Sequence, residues 1–192
     1  MHEAYLVIIL AYLVGSLLNV LIYRLPIMLV HPDHQLNLFF PGSHCPYCSA
    51  KIRYWHNIPI VGFLMLKGRC QDCHHSIAQR YLVIEIIYPL LVLIVAQWTI
   101  AASHLLIFAW IWALLLTLSV IDLEHLILPD PLNYLLLWTG LVLNLYQYFC
   151  RIDASIWGAI IGYMSLWLFY HGFRLLSGKE GFGSGDFKLF AA

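Results

Sequence analysis

The feature that most constrains this chain is a set of five nearly uninterrupted apolar runs, at residues 4–23, 81–100, 105–121, 131–148 and 156–173. A helix needs about 20 apolar residues to cross the roughly 30 Å hydrocarbon core of a bilayer. In that core every backbone N–H and C=O must be satisfied within the segment, which leaves helices as the solution for separate runs of this length. Of 192 residues, 62% are hydrophobic and 10% charged, whereas a soluble domain uses roughly 45–50% apolar residues. The sequence therefore predicts an all-α polytopic membrane protein with about five to six transmembrane helices. The first run has no basic residues before it and no small-residue cleavage site, so it reads as a retained span and not a removed signal. The net charge is +0, without the basic stripe that binding a nucleic acid would need.

Lys and Arg set the orientation, because positively charged short loops stay on the cytoplasmic side. Nine of the ten fall on one side under alternation: Arg24, Lys51, Arg53, Lys67, Arg69, Arg80, Arg174, Lys179 and Lys188, against Arg151 alone. The organisation that follows is a first transmembrane helix at 1–23, a cytoplasmic zinc-binding loop at 24–80 and a transmembrane core at 81–192. With the N-terminus outside, the ends of the third and fifth runs reach the cytoplasmic face.

The long loop holds Cys45-Pro-Tyr-Cys48 and Cys70-Gln-Asp-Cys73. Two-residue spacing lets both thiolates of a knuckle reach one ion, and two such knuckles close a tetrahedral site. A loop this small has too little core to fold alone, and metal binding supplies the missing free energy. Two disulfides would need an oxidising compartment, against the charge bias. His44, His74 and His75 offer alternative nitrogen ligands, although polar loop histidines beside such cysteines are more often bystanders. A four-thiolate site leaves no open position, so this zinc is expected to be structural and the chemistry to lie elsewhere.

Ionisable residues at membrane depth are costly and are functional candidates by default. Asp122 is the first charge after the third run, in Ile121-Asp122-Leu123-Glu124-His125. Asp186 lies in Gly183-Ser184-Gly185-Asp186, where glycines let another backbone come close. That tetrapeptide alone would as often mark a turn or a helix cap. Its weight comes from a second aspartate 64 residues earlier, expected at the same face. Two carboxylates sharing a site hold one proton between them. The anionic member can activate water while the protonated one donates to a developing oxyanion, which is aspartyl protease chemistry. Asp130, between Pro129 and Pro131, is expected to be an ordinary N-cap for the fourth span.

Taken together, Gly15-Ser16-Leu17-Leu18-Asn19, Tyr23-Arg24-Leu25-Pro26, the two knuckles, Asn57-Ile58-Pro59, Arg80-Tyr81, Glu85, Asp122, Leu128-Pro129-Asp130 and Gly183–Leu189 resemble the type IV prepilin leader peptidases almost from end to end. The resemblance implies an inner-membrane aspartyl endopeptidase that removes the leader of type IV prepilins or type II secretion pseudopilins on the cytoplasmic side. Asp122 and Asp186 then match the catalytic pair, and Cys45, Cys48, Cys70 and Cys73 the zinc ligands. Many family members also methylate the new N-terminus from S-adenosylmethionine, for which the sequence shows no recognisable binding motif. The sequence stops six residues after Asp186, where relatives continue through a further span, so a truncated member with impaired activity is the expectation. Presenilin-type proteases also use G-x-G-D, but place their first aspartate after a tyrosine within a span. A different class is a non-catalytic membrane assembly protein that docks partners through its zinc loop.

Overall fold

The structure is a computed structural model and describes residues 2–30, 36–98, 101–177 and 183–192. Seven helices follow in order: α1 (His2–Val30), α2 (Val61–Met65), α3 (Gln79–Trp98), α4 (Ala102–His125), α5 (Asp130–Leu145), α6 (Ile152–Ser177) and α7 (Ser184–Ala191), with one 3-10 turn at Tyr54–Asn57. Among the described residues there is no strand, only two isolated antiparallel bridges in the long loop. Four stretches are long and apolar enough to cross a membrane: Leu10–Val30, Gln79–Trp98, Ala102–His125 and Ile152–Leu176. The chain is thus an all-helical, multi-pass membrane protein.

Two expected boundaries shift. The first helix continues past residue 23 to Val30, through Pro26, so Arg24 belongs to a helix and not to the loop. The fourth run is helical for only 16 residues, about 24 Å at 1.5 Å per residue, and falls outside those four stretches. Asn144 ends it. Its Oδ1 accepts the N–H groups of Phe149 (3.2 Å) and Cys150 (3.3 Å), and its Nδ2 donates to Ser155 Oγ (3.0 Å), so one side chain closes the turn into α6. Between the second and third runs α3 ends at Trp98 and α4 starts at Ala102; residues 99 and 100 lie outside the described ones.

The chain forms two compact units, Met1–Thr117 and Leu118–Ala192, divided within α4. In the first unit α1 packs on α3. Small residues let the helices approach, since lipid offers no hydrophobic drive to hold them: a Cβ on Gly15 would lie 3.5 Å from the Glu85 Cα. Ala11, Leu18 and Ile22 repeat at helical spacing on α1, and Ile84, Tyr88 and Val92 on α3, all buried. Asn19 adds polar glue, its Nδ2 donating to the Tyr81 carbonyl at 3.1 Å. In the second unit α7 packs against α5 and α6, with the Phe187 ring set edge-on to Tyr163 at 6.1 Å and tilted against Tyr170 at 5.5 Å.

Candidate functional site

The two cysteine knuckles are copies of one backbone design. In the first, Cys45 N–H donates to the Ala50 carbonyl, Ser49 N–H to Cys45 and Ile52 N–H to Ser43; in the second, Cys70 donates to His75, His74 to Cys70 and Ile77 to Gly68. Ser49 and His74 both take a left-handed conformation, φ 58° and 56°. Bridges between His44 and Lys51 and between Arg69 and Ser76 close the two turns.

Each knuckle points its sulfurs at the other. All four Sγ atoms lie within 4.8 Å of one another, with Cys45–Cys73 at 3.8 Å and Cys48–Cys70 at 3.9 Å. A disulfide needs about 2.05 Å between sulfurs. A tetrahedral zinc with Zn–S of about 2.3 Å puts its sulfurs about 3.8 Å apart, so the geometry fits four thiolates around one ion. Backbone N–H groups of Cys73 and Asp72 lower the Cys70 thiol to about 7, whereas Cys48 is pushed up to about 12 and Cys73 is raised too, so four thiols this close do not all ionise without a cation among them.

Helix residues tie this loop down. The buried Arg24 guanidinium donates to the carbonyls of Asn37 (2.8 Å) and Pro41 (2.6 Å). The Glu85 carboxylate, 8% exposed, accepts the Ile60 N–H at 2.7 Å and a hydrogen bond from Ser16. Ile60 is held at φ 63°, ψ −51°, a conformation β-branched residues rarely adopt and keep only where neighbours over-determine it. Two residues on, a Cβ at Gly62 would collide with the His56 carbonyl oxygen. Backbone cannot give way as a flexible side chain can. Gly62→Ala is therefore expected to destabilise the loop by at least about 1–3 kcal/mol, seen as faster proteolysis of residues 36–78 with the helices intact.

Asp122 and Asp186 both belong to the second unit. Asp122 sits in the last turn of α4, half-buried, and its carbonyl accepts the N–H of Leu126, whose φ of 54° ends the helix. Asp186 lies in the first turn of α7, half-buried, its Oδ2 accepting the Gly183 N–H at 3.1 Å. That bond occupies one of the orphan N–H groups of the helix start and places negative charge at the positive end of the macrodipole.

Among the described residues the two carboxylates are not bonded to each other; what joins their surroundings is the connection after α4. A Cβ on Gly185 would come within 2.7 Å of the Leu128 Cβ, so that glycine is what lets the Asp186 turn seat there. Lys188 Nζ donates to both Asp130 oxygens at 2.7 Å. The expectation for Asp130 is corrected here: Pro129 precedes the helix as its cap, Asp130 is the first helical residue, and its carboxylate caps nothing but pairs with Lys188.

Sequence reading missed one feature and gave a second, Glu85, no role of its own. The Lys188–Asp130 pair spans 58 residues and has no periodic signature. Glu85 was legible: it is the lone acidic residue in the 81–100 run, and the cost argument that singled out Asp122 applies to it more strongly.

The family described as the bacterial peptidase A24 N-terminal domain matches residues 9–99, and the type IV leader peptidase family matches residues 105–192. Among similar curated proteins, the prepilin leader peptidase/N-methyltransferase of Stutzerimonas stutzeri is 42% identical over 206 residues, covering 96% of this chain and 69% of that relative. Those of Dichelobacter nodosus (40% over 202 residues, 93% and 70%) and Pseudomonas putida (40% over 211 residues, 100% and 73%) carry the same name. No solved structure matches the chain.

Proposed function

The chain belongs to the type IV leader peptidase family and is a peptidase of that family, and from that premise we propose that it cleaves the leader of type IV prepilins or type II secretion pseudopilins with Asp122 and Asp186 as its catalytic aspartates. The observation that carries the assignment is the seating of the Gly183–Asp186 turn, through Gly185, on the Leu128 segment that follows the Asp122 helix. One carboxylate takes a proton from water as the water attacks the scissile carbonyl, and the other donates to the oxyanion. The positive-inside bias supports an inner-membrane protein whose site faces the cytoplasm, where a basic leader is retained. Co-expression with a prepilin, read by the mobility shift on leader loss, tests the activity; unshifted prepilin in the presence of folded, membrane-inserted protein would count against it.

Lys188 and Asp130 act in this reading as positioning residues, holding the α7 start against the α4–α5 connection. A pair of this kind contributes little stability, about 0.2–1 kcal/mol, but a 1 Å misplacement can cost about 10²-fold in rate. Lys188→Met is expected to lower the cleavage rate by about 10-fold or more at unchanged substrate KM and protein level. The charge swap Lys188→Asp with Asp130→Lys is expected to recover part of the loss. A swap no better than the single variants would remove the positioning role.

The four cysteines hold a structural zinc, whose binding is the folding energy of the loop. The relatives' names include N-methyltransferase, and we extend that activity to this chain, with S-adenosylmethionine as methyl donor. Bound, it supplies a methyl group on a positively charged sulfur that a neutral amine can displace.

A further inference from the structure

The short helix α2 presents two different sides. Gly62 is buried, with Phe63 and Leu66 half-buried beside it. Val61, Leu64 and Met65 share the other side at i, i+3 and i+4 and lie open, Leu64 63% and Met65 59% exposed. Tyr54 and Ile58, just before the helix, are exposed as well. One turn of helix has little stability of its own in water, and a contiguous apolar surface on a loop marks something that covers it.

The level at which α2 begins says what that is. The Ile60 N–H, immediately before α2, donates to the Glu85 carboxylate at 2.7 Å. Glu85 lies six residues into α3, about 9 Å below its start at 1.5 Å per residue. On α1 the matching level is Gly15, whose Cβ would lie 3.5 Å from the Glu85 Cα. The first apolar run continues from there to Tyr23, about 12 Å further. The start of α2 is thus level with the outer turns of two spans and not above them. An amphipathic segment buried about 5–10 Å into the headgroup and acyl boundary occupies that zone. The charges agree. Lys51 and Arg53 precede the apolar face, Lys67 and Arg69 follow it, and no acidic residue occurs between 36 and 71. The Arg53 guanidinium lies 5.9 Å from the centre of the Trp55 ring, a cation beside an amphipathic ring of the kind found at headgroup level.

We propose that residues 54–65 are an interfacial anchor, with Val61, Leu64 and Met65 in the acyl boundary of the bilayer and Lys51, Arg53, Lys67 and Arg69 against the phosphates of anionic phospholipid. Lipid is the occupant because the face starts at bilayer depth, and because four positive charges around it attract phosphate and repel a basic leader peptide. The zinc loop is then held to the membrane by its own surface as well as by the two spans that flank it.

The test uses the full zinc-loaded chain in nanodiscs of phosphatidylethanolamine and phosphatidylglycerol, one chain to a disc. Hydroxyl-radical footprinting of the unaltered chain compares Met65 with Tyr47, an exposed ring of the first cysteine knuckle. A thioether open to water oxidises at least as readily as a phenol. Met65 is expected to react about 10-fold more slowly than Tyr47, because the bilayer covers it. Replacing the phosphatidylglycerol by phosphatidylcholine is expected to raise Met65 oxidation by about 3-fold, as the anionic phosphates are lost. A benzophenone amino acid in place of Leu64 identifies the neighbour: irradiation is expected to yield a phospholipid adduct at that position, seen by mass spectrometry. Met65 reacting as fast as Tyr47 overturns the anchor, and this readout needs no variant to fold. Protection that appears only when a prepilin is added, or a cross-link to pilin or to a second copy in place of lipid, overturns it too and makes the face a protein-docking surface. Protection indifferent to phosphatidylglycerol overturns the role given to the four charges.

Discussion

Asn in place of Asp122 is expected to lower leader cleavage by roughly 10²–10⁴-fold, the range that a positioned general acid or base contributes, and Asp186→Asn is expected to do the same. The double variant is expected to lose little more than either single one, because groups that act as a unit are non-additive. Asn is the informative replacement. Asp186 also accepts the Gly183 N–H at the start of α7, and an Asn oxygen keeps an acceptor there, whereas Ala would remove it at a cost of about 1 kcal/mol. A loss seen with Asn therefore reports the lost acid or base and not a frayed helix. The measurement is the initial rate of prepilin processing in membranes with matched protein and zinc. Wild-type rates in either variant would remove that aspartate from the catalytic pair and place the chemistry on other residues.

The helices were legible because bilayer thickness imposes a length on them. The runs at 81–100, 105–121 and 156–173 correspond to α3, α4 and α6. What hydropathy could not see is where a helix stops. Pro26 suggests an end near residue 25, yet α1 runs on to Val30; the Arg24 guanidinium makes its hydrogen bonds to the Asn37 and Pro41 carbonyls. The apolar run past 145 suggests more helix, but Asn144 turns its side chain onto the following backbone and closes it. Both outcomes depend on partners elsewhere in the chain, which a window average does not contain.

The candidate sites divide along the same line. The cysteines were legible because two-residue spacing is a local constraint of tetrahedral ligation, and the two knuckles do converge. The aspartates were legible as costly charges. Asp130 was misread because its neighbours, two prolines, favour a helix start and say nothing of Lys188. The tie between Glu85 and the loop was invisible for a further reason: Glu85 and Ile60 lie 25 residues apart and meet only after the loop folds back onto α3.

That dependence yields the second large effect, removal of the metal. Stripping zinc, or replacing Cys45, the one buried ligand, by Ser, is expected to unfold the loop outright. Structural zinc contributes about 10–16 kcal/mol in small domains, while the loop's own bonds are short-range turns worth about 0.5–1.5 kcal/mol each. The transmembrane helices do not depend on it, because their backbone bonds are internal and their apolar faces stay in lipid. Rapid proteolysis near Phe39, Tyr47 and Trp55, all exposed, with unchanged helix content by circular dichroism, is the expected pattern. The four cysteines lie in the first unit, whereas Asp122 and Asp186 sit in the second. Zinc loss is therefore expected to reduce leader cleavage by a smaller factor than Asp122→Asn does. A loss as large as that of Asp122→Asn would mean that the loop also holds the pilin substrate.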